Sequence, residues 1–277
     1  MLNTAFVIGD PISQSRSPLI HGYWLKQHGI AGSYRAIHVK QNELGAFLNG
    51  IVDNGFAGGN VTVPHKQAVF EHVKQHDEIA EIIGAVNTVW IEDGELRATN
   101  TDSFGFAHNL DERAPGWDKN HTALVLGAGG ASRAIIHALK TRGFTDIRVA
   151  NRGLSRAKEL ADRYGKNISA HPLEVLNEIS GDAGLVVNTT SLGMQGEGEI
   201  PLDMQKLQSN VLVTDIVYVP LETPFLKKAR LAGLKTADGL GMLLHQARPG
   251  FEKWFGVMPE ATTELRQLII DDMDKAK

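Results

Sequence analysis

The stretch GGNVTVPHK at positions 58–66 sets an amide, a hydroxyl and a lysine at the end of a β-prone run that a proline stops. Three other clusters share its character: SQSRSP at 13–18, GAVNT at 84–88 and NTD at 100–102. Together they offer Ser15, Ser17, Asn60, Thr62, Lys66, Asn87, Thr101 and Asp102. Hydroxyls and amides suit a small polyhydroxylated ligand better than an apolar one, and Lys66 with Asp102 adds ionisable groups for proton transfer. A lysine in the first turn of a helix faces the positive end of the helix dipole, so its position points to function rather than to helix stability. Each residue also has a plainer reading. Ser17 before Pro18 makes a good helix cap, Asn87 can order a turn, Asp102 can cap the helix after it, and Lys66 can be a solvated side chain.

These clusters need a scaffold that gathers strand ends. TAFVIGD, SPLIHGYWLKQHG, SYRAIHV, NELGAFLNGIVDNG, GGNVTV and a helix after Pro64 alternate as βαβαβα, which predicts a mainly parallel sheet flanked by helices. In such sheets ligands bind beyond the carboxyl ends of the strands, where the four clusters lie. NTVWIEDGELRATNTD then reads as a hairpin about Asp93-Gly94. A helix from about Ser103 leads to a second α/β series: TALVLGAGGASRAIIHALKTRG, DIRVANR, LSRAKELADRYG, NISAH, GLVVNTT and VLVTDIV. The tail from Gly239 to Met273 is nearly all helical, with a break around Gly256 to Pro259. The expectation is two α/β domains, the second a Rossmann-type dinucleotide-binding domain, with a substrate cleft between them. Residues 1–102 form the substrate domain, 103–237 the nucleotide domain, and 238–277 helices that pack back on the first.

The nucleotide signal is GAGGAS at 127–132, directly after an apolar strand and directly before a helix. Glycines there let backbone amides at a helix N-terminus approach a pyrophosphate. Gly127 and Gly129 match G-x-G-x-x-G, but Ser132 stands at the third position. The next strand ends in Asn151 and Arg152, with Arg156 nearby and no acid to hold a ribose 2′-hydroxyl, which favours NADP over NAD. Arg156 can alternatively pair with Glu159 on the helix surface. NTTSLGM at 188–194, with Thr189 and Ser191, suits either a nicotinamide-side loop or a capping turn.

Composition narrows the classes. The net charge of −4 over 277 residues, without a long basic run, argues against nucleic acid. The absence of cysteine excludes disulfides, thiolate catalysis and Cys-ligated zinc. His72 and His76 have i, i+4 spacing, but HVKQH lacks the glutamate of a zinc-protease motif, so no metal is expected. MLNTAFVIGDP shows no basic region followed by a sustained apolar stretch, and no later run is long enough for a bilayer, so a cytoplasmic protein is expected.

Read in order, SxSRSP, NVTVPHK, GAVNTV, NTD, GAGGAS, NR…R, NTTSLGM, DIVY…TP and DGLGMLLHQA resemble the shikimate dehydrogenase family over nearly the whole chain. The resemblance implies reversible, NADPH-dependent reduction of 3-dehydroshikimate to shikimate in aromatic amino-acid biosynthesis. It implies that Lys66 and Asp102 form the catalytic pair. Ser15 and Ser17 would hold the substrate carboxylate with Tyr218, while Asn60, Thr62, Asn87 and Gln246 would bind ring hydroxyls or frame the pocket. NADP would be held by Gly127, Ala128, Gly129, Gly130 and Ala131, by Asn151, Arg152 and Arg156, by Thr189 and Ser191, and through backbone contacts by Ile216 and Gly239. Gly153 stands where the family often has threonine, and Thr189 where alanine is common. A quinate/shikimate dehydrogenase using NAD or both cofactors is the nearest alternative, and a non-catalytic ligand sensor on the same fold the next. A monomer or homodimer is expected.

Overall fold

The computed structural model describes residues 4–194 and 198–275. The chain forms two compact units, one of residues 1–102 with 244–277 and the other of residues 103–243.

The first unit is built on β1 (Thr4–Gly9), α1 (Ser17–Gln27), β2 (Ser33–His38), α2 (Leu44–Asn49), β3 (Phe56–Val61), α3 (Lys66–His72), β4 (Gln75–His76), α4 (Glu78–Ile83), β5 (Thr88–Glu92) and β6 (Glu95–Thr99). Its sheet runs β2-β1-β3-β5-β6-β4. Strands β1, β2 and β3 are parallel, whereas β5 is antiparallel to both β3 and β6. The hairpin turns at Asp93 and Gly94, both at positive φ as a two-residue turn matched to strand twist requires. Strand β1 is apolar from Ala5 onward because both faces are covered: Phe6 and Ile8 enter one core, Ala5 and Val7 the other. The segment after α3 differs from the sequence expectation. The helix stops at Val73, and Gln75–His76 pairs with β6, so HVKQH does not lie on one helix. His72 meets Asn49, and His76 stacks on Phe70.

The second unit begins on α5 (Asp102–Arg113), which leads into β7 (Thr122–Leu126), α6 (Gly130–Thr141), β8 (Asp146–Ala150), α7 (Leu154–Tyr164), β9 (Ile168–His171), α8 (Leu176–Ile179), β10 (Leu185–Asn188), β11 (Leu212–Asp215), α9 (Pro224–Leu231) and β12 (Lys235–Ala237). All the pairings of its sheet, β12-β11-β10-β7-β8-β9, are parallel. The order reverses between β7 and β10, the switch point at which a doubly wound sheet opens a ligand crevice. Ala123 and Val125 of β7 enter one core, Leu124 and Leu126 the other.

The chain returns to the first unit within α10 (Leu240–Phe255) and ends in α11 (Thr263–Lys275). Trp254 of α10 donates its indole N–H to Val89 O at 2.8 Å, and Trp24 of α1 donates to Glu260 O at 2.9 Å. Against this tail lies His21, fully buried and stacked on Tyr34 with ring centroids 4.0 Å apart. Neither of its ring nitrogens has a hydrogen-bond partner. Desolvation pushes its pKa down to about 3, opposed only in part by the nearby Asn60 amide, which does not reach hydrogen-bonding geometry.

An unfolded histidine titrates near 6.5, so between that value and about 3 the unfolded chain takes up a proton at His21 that the folded chain refuses. Stability from this residue is complete above pH 6.5 and falls as pH drops. The expected loss is roughly 2–3 kcal/mol between pH 7.5 and 4.5. Urea midpoints read from the fluorescence of Trp24, Trp90 and Trp254 should therefore fall less steeply with acid in His21→Phe than in wild type. Equal slopes would remove His21 as the cause.

Candidate functional site

Strand register assembles the polar cluster of the first unit. Asn60 near the end of β3 pairs with Thr88 at the start of β5, and Thr88 pairs with Thr99 at the end of β6. Because β5 runs antiparallel between them, the residues just before it and those just after β3 and β6 arrive at one edge. Lys66, the first residue of α3, reaches this edge and places Nζ 2.5 Å from Asp102 Oδ2. Their side chains are 27% and 11% exposed, so the pair is neither in bulk water nor sealed from it. Lys66 is thus not a solvated lysine, and the carboxylate of Asp102 is turned to Lys66 and Asn87.

Asn87 organises the rest. Its Nδ2 donates to Asp102 Oδ1 at 2.9 Å and to Thr101 Oγ1 at 3.0 Å, with Gln246 Oε1 at 3.3 Å. Its Oδ1 accepts the Thr101 backbone N–H at 2.8 Å and the Thr88 hydroxyl at 2.9 Å. Thr101 Oγ1 in turn donates to Gln246 O at 2.7 Å, which brings α10 into the cluster. Asn60 is held on both ends of its amide: Tyr34 OH donates to Oδ1 at 2.6 Å, and Nδ2 donates to Asn87 O and Thr88 Oγ1 at 3.2 and 3.1 Å. Its donors are spent inside the protein, which gives Asn60 the geometry of a frame. Burial raises the Tyr34 phenol well above its ordinary pKa, against hydrogen bonding with Ser17 and Asn60, so it stays a donor.

Ser15 and Ser17 stand at the start of α1. Ser15 Oγ accepts the Ser17 backbone N–H at 3.3 Å; Ser17 is the first residue of the helix rather than its cap, a position taken by Arg16, whose side chain makes no capping bond. Thr62 follows β3, half-buried, its N–H bonded to Ile8 O at 2.9 Å. Tyr34, Thr88 and Asn100, whose Oδ1 accepts the Asp102 N–H at 3.0 Å, were not singled out by sequence. Tyr34 reads as one core aromatic among others, and only the fold points its hydroxyl at Asn60.

In the second unit the strand-to-helix turn after β7 has the properties a pyrophosphate needs. Gly127 sits at φ +105°, and a Cβ there would lie 2.8 Å from Thr189 Oγ1 and Thr190 Cγ2. Gly129 and Gly130 are exposed at the start of α6, with nothing within 4 Å of an added Cβ. Ser132, in place of the third glycine, is fully buried and satisfies its hydroxyl on Gly129 O at 2.5 Å, so the helix still packs closely. Asn151 Oδ1 accepts the Ala128 N–H at 3.2 Å while its Nδ2 donates to Gly153 O at 2.9 Å. Arg152 and Arg156 are exposed at the end of β8 and on the first turn of α7. Gly127, Asn151, Arg152, Thr190 and Ser191 line a cavity of about 240 Å³. A glycine cradle with guanidinium groups and no acid beside it fits NADP. Thr189 Oγ1 donates to Leu126 O at 2.8 Å, so this threonine secures the loop rather than offering its hydroxyl outward. Ala131, Ile216 and Tyr218 are all half-buried, and Gly239 is buried.

Three family models match the chain in order. Residues 7–89 match the shikimate dehydrogenase substrate binding domain, 111–219 the shikimate / quinate 5-dehydrogenase family, and 239–265 the shikimate 5′-dehydrogenase C-terminal domain. A shikimate dehydrogenase (NADP(+)) of Mesorhizobium japonicum is 59% identical over 97% of this chain and 96% of its own length. The chain belongs to the shikimate dehydrogenase family. Among solved structures it is similar to the quinate dehydrogenase of Corynebacterium glutamicum in complex with NAD, with a TM-score of 0.89, 32% identity and coverage of 97% of this chain and 98% of that one. It is also similar to the shikimate 5-dehydrogenase of Thermus thermophilus in complex with NADP(H) and shikimate, with a TM-score of 0.85, 34% identity and 99% coverage of both chains. The likeness to shikimate dehydrogenases spans both units.

Alanine at Gly127 would have to hold a positive φ and displace Thr189 and Thr190, a strain of about 1–3 kcal/mol. Gly127→Ala is expected to lower the urea midpoint reported by Trp117 and to weaken NADPH binding. Retention of both values would show that the turn does not need glycine.

Proposed function

We propose that this shikimate dehydrogenase works through Lys66 and Asp102 on a substrate held by the first unit, reducing 3-dehydroshikimate to shikimate reversibly with NADPH for aromatic amino-acid biosynthesis. The observation that carries the residue assignment is the 2.5 Å contact between Lys66 Nζ and Asp102 Oδ2, embedded in a cluster of amides and hydroxyls. Bound NADPH would supply the hydride to the carbonyl carbon. Lys66 Nζ gives a proton to the oxygen as charge develops there, and recovers one from solvent. Asp102 Oδ2 holds the ammonium in place, while Asn87 fixes Oδ1 so that the carboxylate cannot rotate away; its remaining lone pairs accept the substrate hydroxyl. In oxidation the same atoms act in reverse, with Lys66 as base.

Ser15 and Ser17 are the proposed carboxylate contacts, supported by their place at a helix N-terminus, with Tyr218 of the second unit as the remaining candidate. Asn60, Thr62, Asn87 and Gln246 are the proposed hydroxyl contacts and frame. Gly127 to Ala131, Asn151, Arg152, Arg156, Thr189, Ser191, Ile216 and Gly239 are proposed to hold NADP. The residues 1–102 and 238–277 are proposed as the substrate part and 103–237 as the cofactor part, except that 238–243, which carry Gly239, fall in the second compact unit. No helix among the described residues is long and apolar enough to cross a membrane. A cytoplasmic monomer or homodimer is the proposed form, and the cysteine-free composition is compatible with a reducing compartment.

Lys66→Ala should fold normally and lose ~10²–10⁴-fold in kcat, the usual contribution of a general acid-base group. A fall of less than about threefold, well outside that range, would exclude Lys66 as the proton-transfer residue.

Two exposed guanidinium groups should each gain ~1.5–3 kcal/mol, near the low end, from a 2′-phosphate, so NADP should be preferred to NAD by roughly a hundredfold in kcat/KM with shikimate. Arg152→Ala with Arg156→Ala should remove most of that preference, and quinate assayed in parallel tests substrate choice. Equal use of the two cofactors by wild type, or full preference in the double variant, would refute the assignment.

A further inference from the structure

Asp215 lies at the C-terminal end of β11, fully buried, and the proton-transfer chemistry makes no use of it. Its carboxylate collects donors from three segments. Oδ1 accepts Asn188 Nδ2 from the end of β10 and the Val217 backbone N–H, both at 2.9 Å. Oδ2 accepts the Thr223 hydroxyl at 2.7 Å from the N-cap of α9. No cation is among these partners, and desolvation pushes the carboxyl up to about 6 despite the three donors. An uncompensated buried charge costs stability, so packing alone does not account for it.

What the carboxylate holds is the rim of the cofactor crevice. Asn188, anchored by Asp215, accepts the Thr190 N–H and hydroxyl at 3.0 and 2.7 Å and donates to Leu192 O at 3.1 Å, which fixes the course of the loop carrying Thr189 and Ser191. The Ile216 N–H bonds to Asn188 O at 3.1 Å. Gly239 packs so closely that an added Cβ would lie 2.6 Å from Asp215 O and Ile216 O. Two stretches proposed to touch NADP, the 188–192 loop and the Ile216–Val217 segment, thus converge on one side chain, and a third, at Gly239, packs on the backbone beside it. A carboxylate accepts from all three donors as they stand, whereas an amide in its place turns an N–H toward one of them and forces the Thr223 hydroxyl to reverse its role.

We infer that Asp215 is a positioning residue for the cofactor, its carboxylate holding the 188–192 loop, the Ile216–Val217 segment and the start of α9 in the arrangement that NADPH binds. The inference rests on the assignment of this unit to NADP.

The full-length protein and its variants Asp215→Asn, Thr223→Val and Thr223→Ser should be titrated with NADPH by fluorescence, assayed at saturating cofactor and shikimate, and melted. Asp215→Asn and Thr223→Val are expected to raise the NADPH dissociation constant about tenfold or more, the loss of a hydrogen bond to a charged group, with Thr223→Ser close to wild type. Melting temperature should hold steady or rise in Asp215→Asn, since a costly buried charge is removed, and kcat at saturation should change less than about threefold. Unchanged NADPH affinity in Asp215→Asn overturns the inference. So does weakening accompanied by a lower melting temperature, which marks a structural role, or equal defects in Thr223→Ser and Thr223→Val. Wild-type protein that fails to bind NADPH overturns the cofactor assignment itself.

Discussion

The antiparallel insertion of β5 between β3 and β6 is the constraint on which the first unit's chemistry depends. In an all-parallel arrangement, Asn87 would open a strand at the opposite edge from Asn60 and Asp102. With β5 reversed, the start of one strand and the ends of two others meet, and Asn87 can accept from the Thr101 N–H on Oδ1 while its Nδ2 faces Asp102 and Gln246. The lysine adds the element that most needs support. Its ammonium stands in the first turn of α3, where the dipole is unfavourable, and Asp102 supplies the compensating charge.

The second unit meets the opposite electrostatic demand with the same economy of parts. Its crevice must accept phosphates, and the glycine turn and Arg152 line it with no acid among the described lining residues. Yet the acid that shapes the crevice is there, buried behind the rim at Asp215. A side-chain amide, a backbone N–H and a hydroxyl hold that carboxylate inside, where it orders loops and offers no negative face to a ligand. His21 in the first unit shows a related cost in neutral form, an imidazole stacked among aromatic rings with its nitrogens unpartnered.

Much of this was legible before folding. The alternation of strand and helix signals, the Asp93-Gly94 turn and the glycine loop after TALVL are local, and local chemistry determines them: turn residues need particular φ values, and doubly covered strands are apolar along their length. Segment 73–83 was less legible. Gln75 and His76 form a two-residue strand only because β6 is beside them, and α4 begins where Asp77 caps it through the Ala80 N–H. Ser132 read as a defect in the glycine motif. Its small side chain fits the packed helix and finds a carbonyl within reach, a compensation that depends on three-dimensional proximity.

By itself, the sequence determined the residue types available for chemistry and their placement at strand ends, since these follow from short-range patterns. It could also name Lys66, Asp102 and Asn87, because polar residues clustered after β-prone runs stand out against an apolar background. Which partner each would take was decided only by tertiary structure. Tyr34 and Asn60 are far apart in the chain, Asn87 and Gln246 farther still, and hydrogen-bond direction among them depends on strand register and on where α10 returns. The same holds for Asp215, which in sequence is one acid at the end of one strand. Its role arises from Asn188, Val217 and Thr223 arriving around it, and burial, which no local pattern encodes, makes that arrangement both costly and consequential.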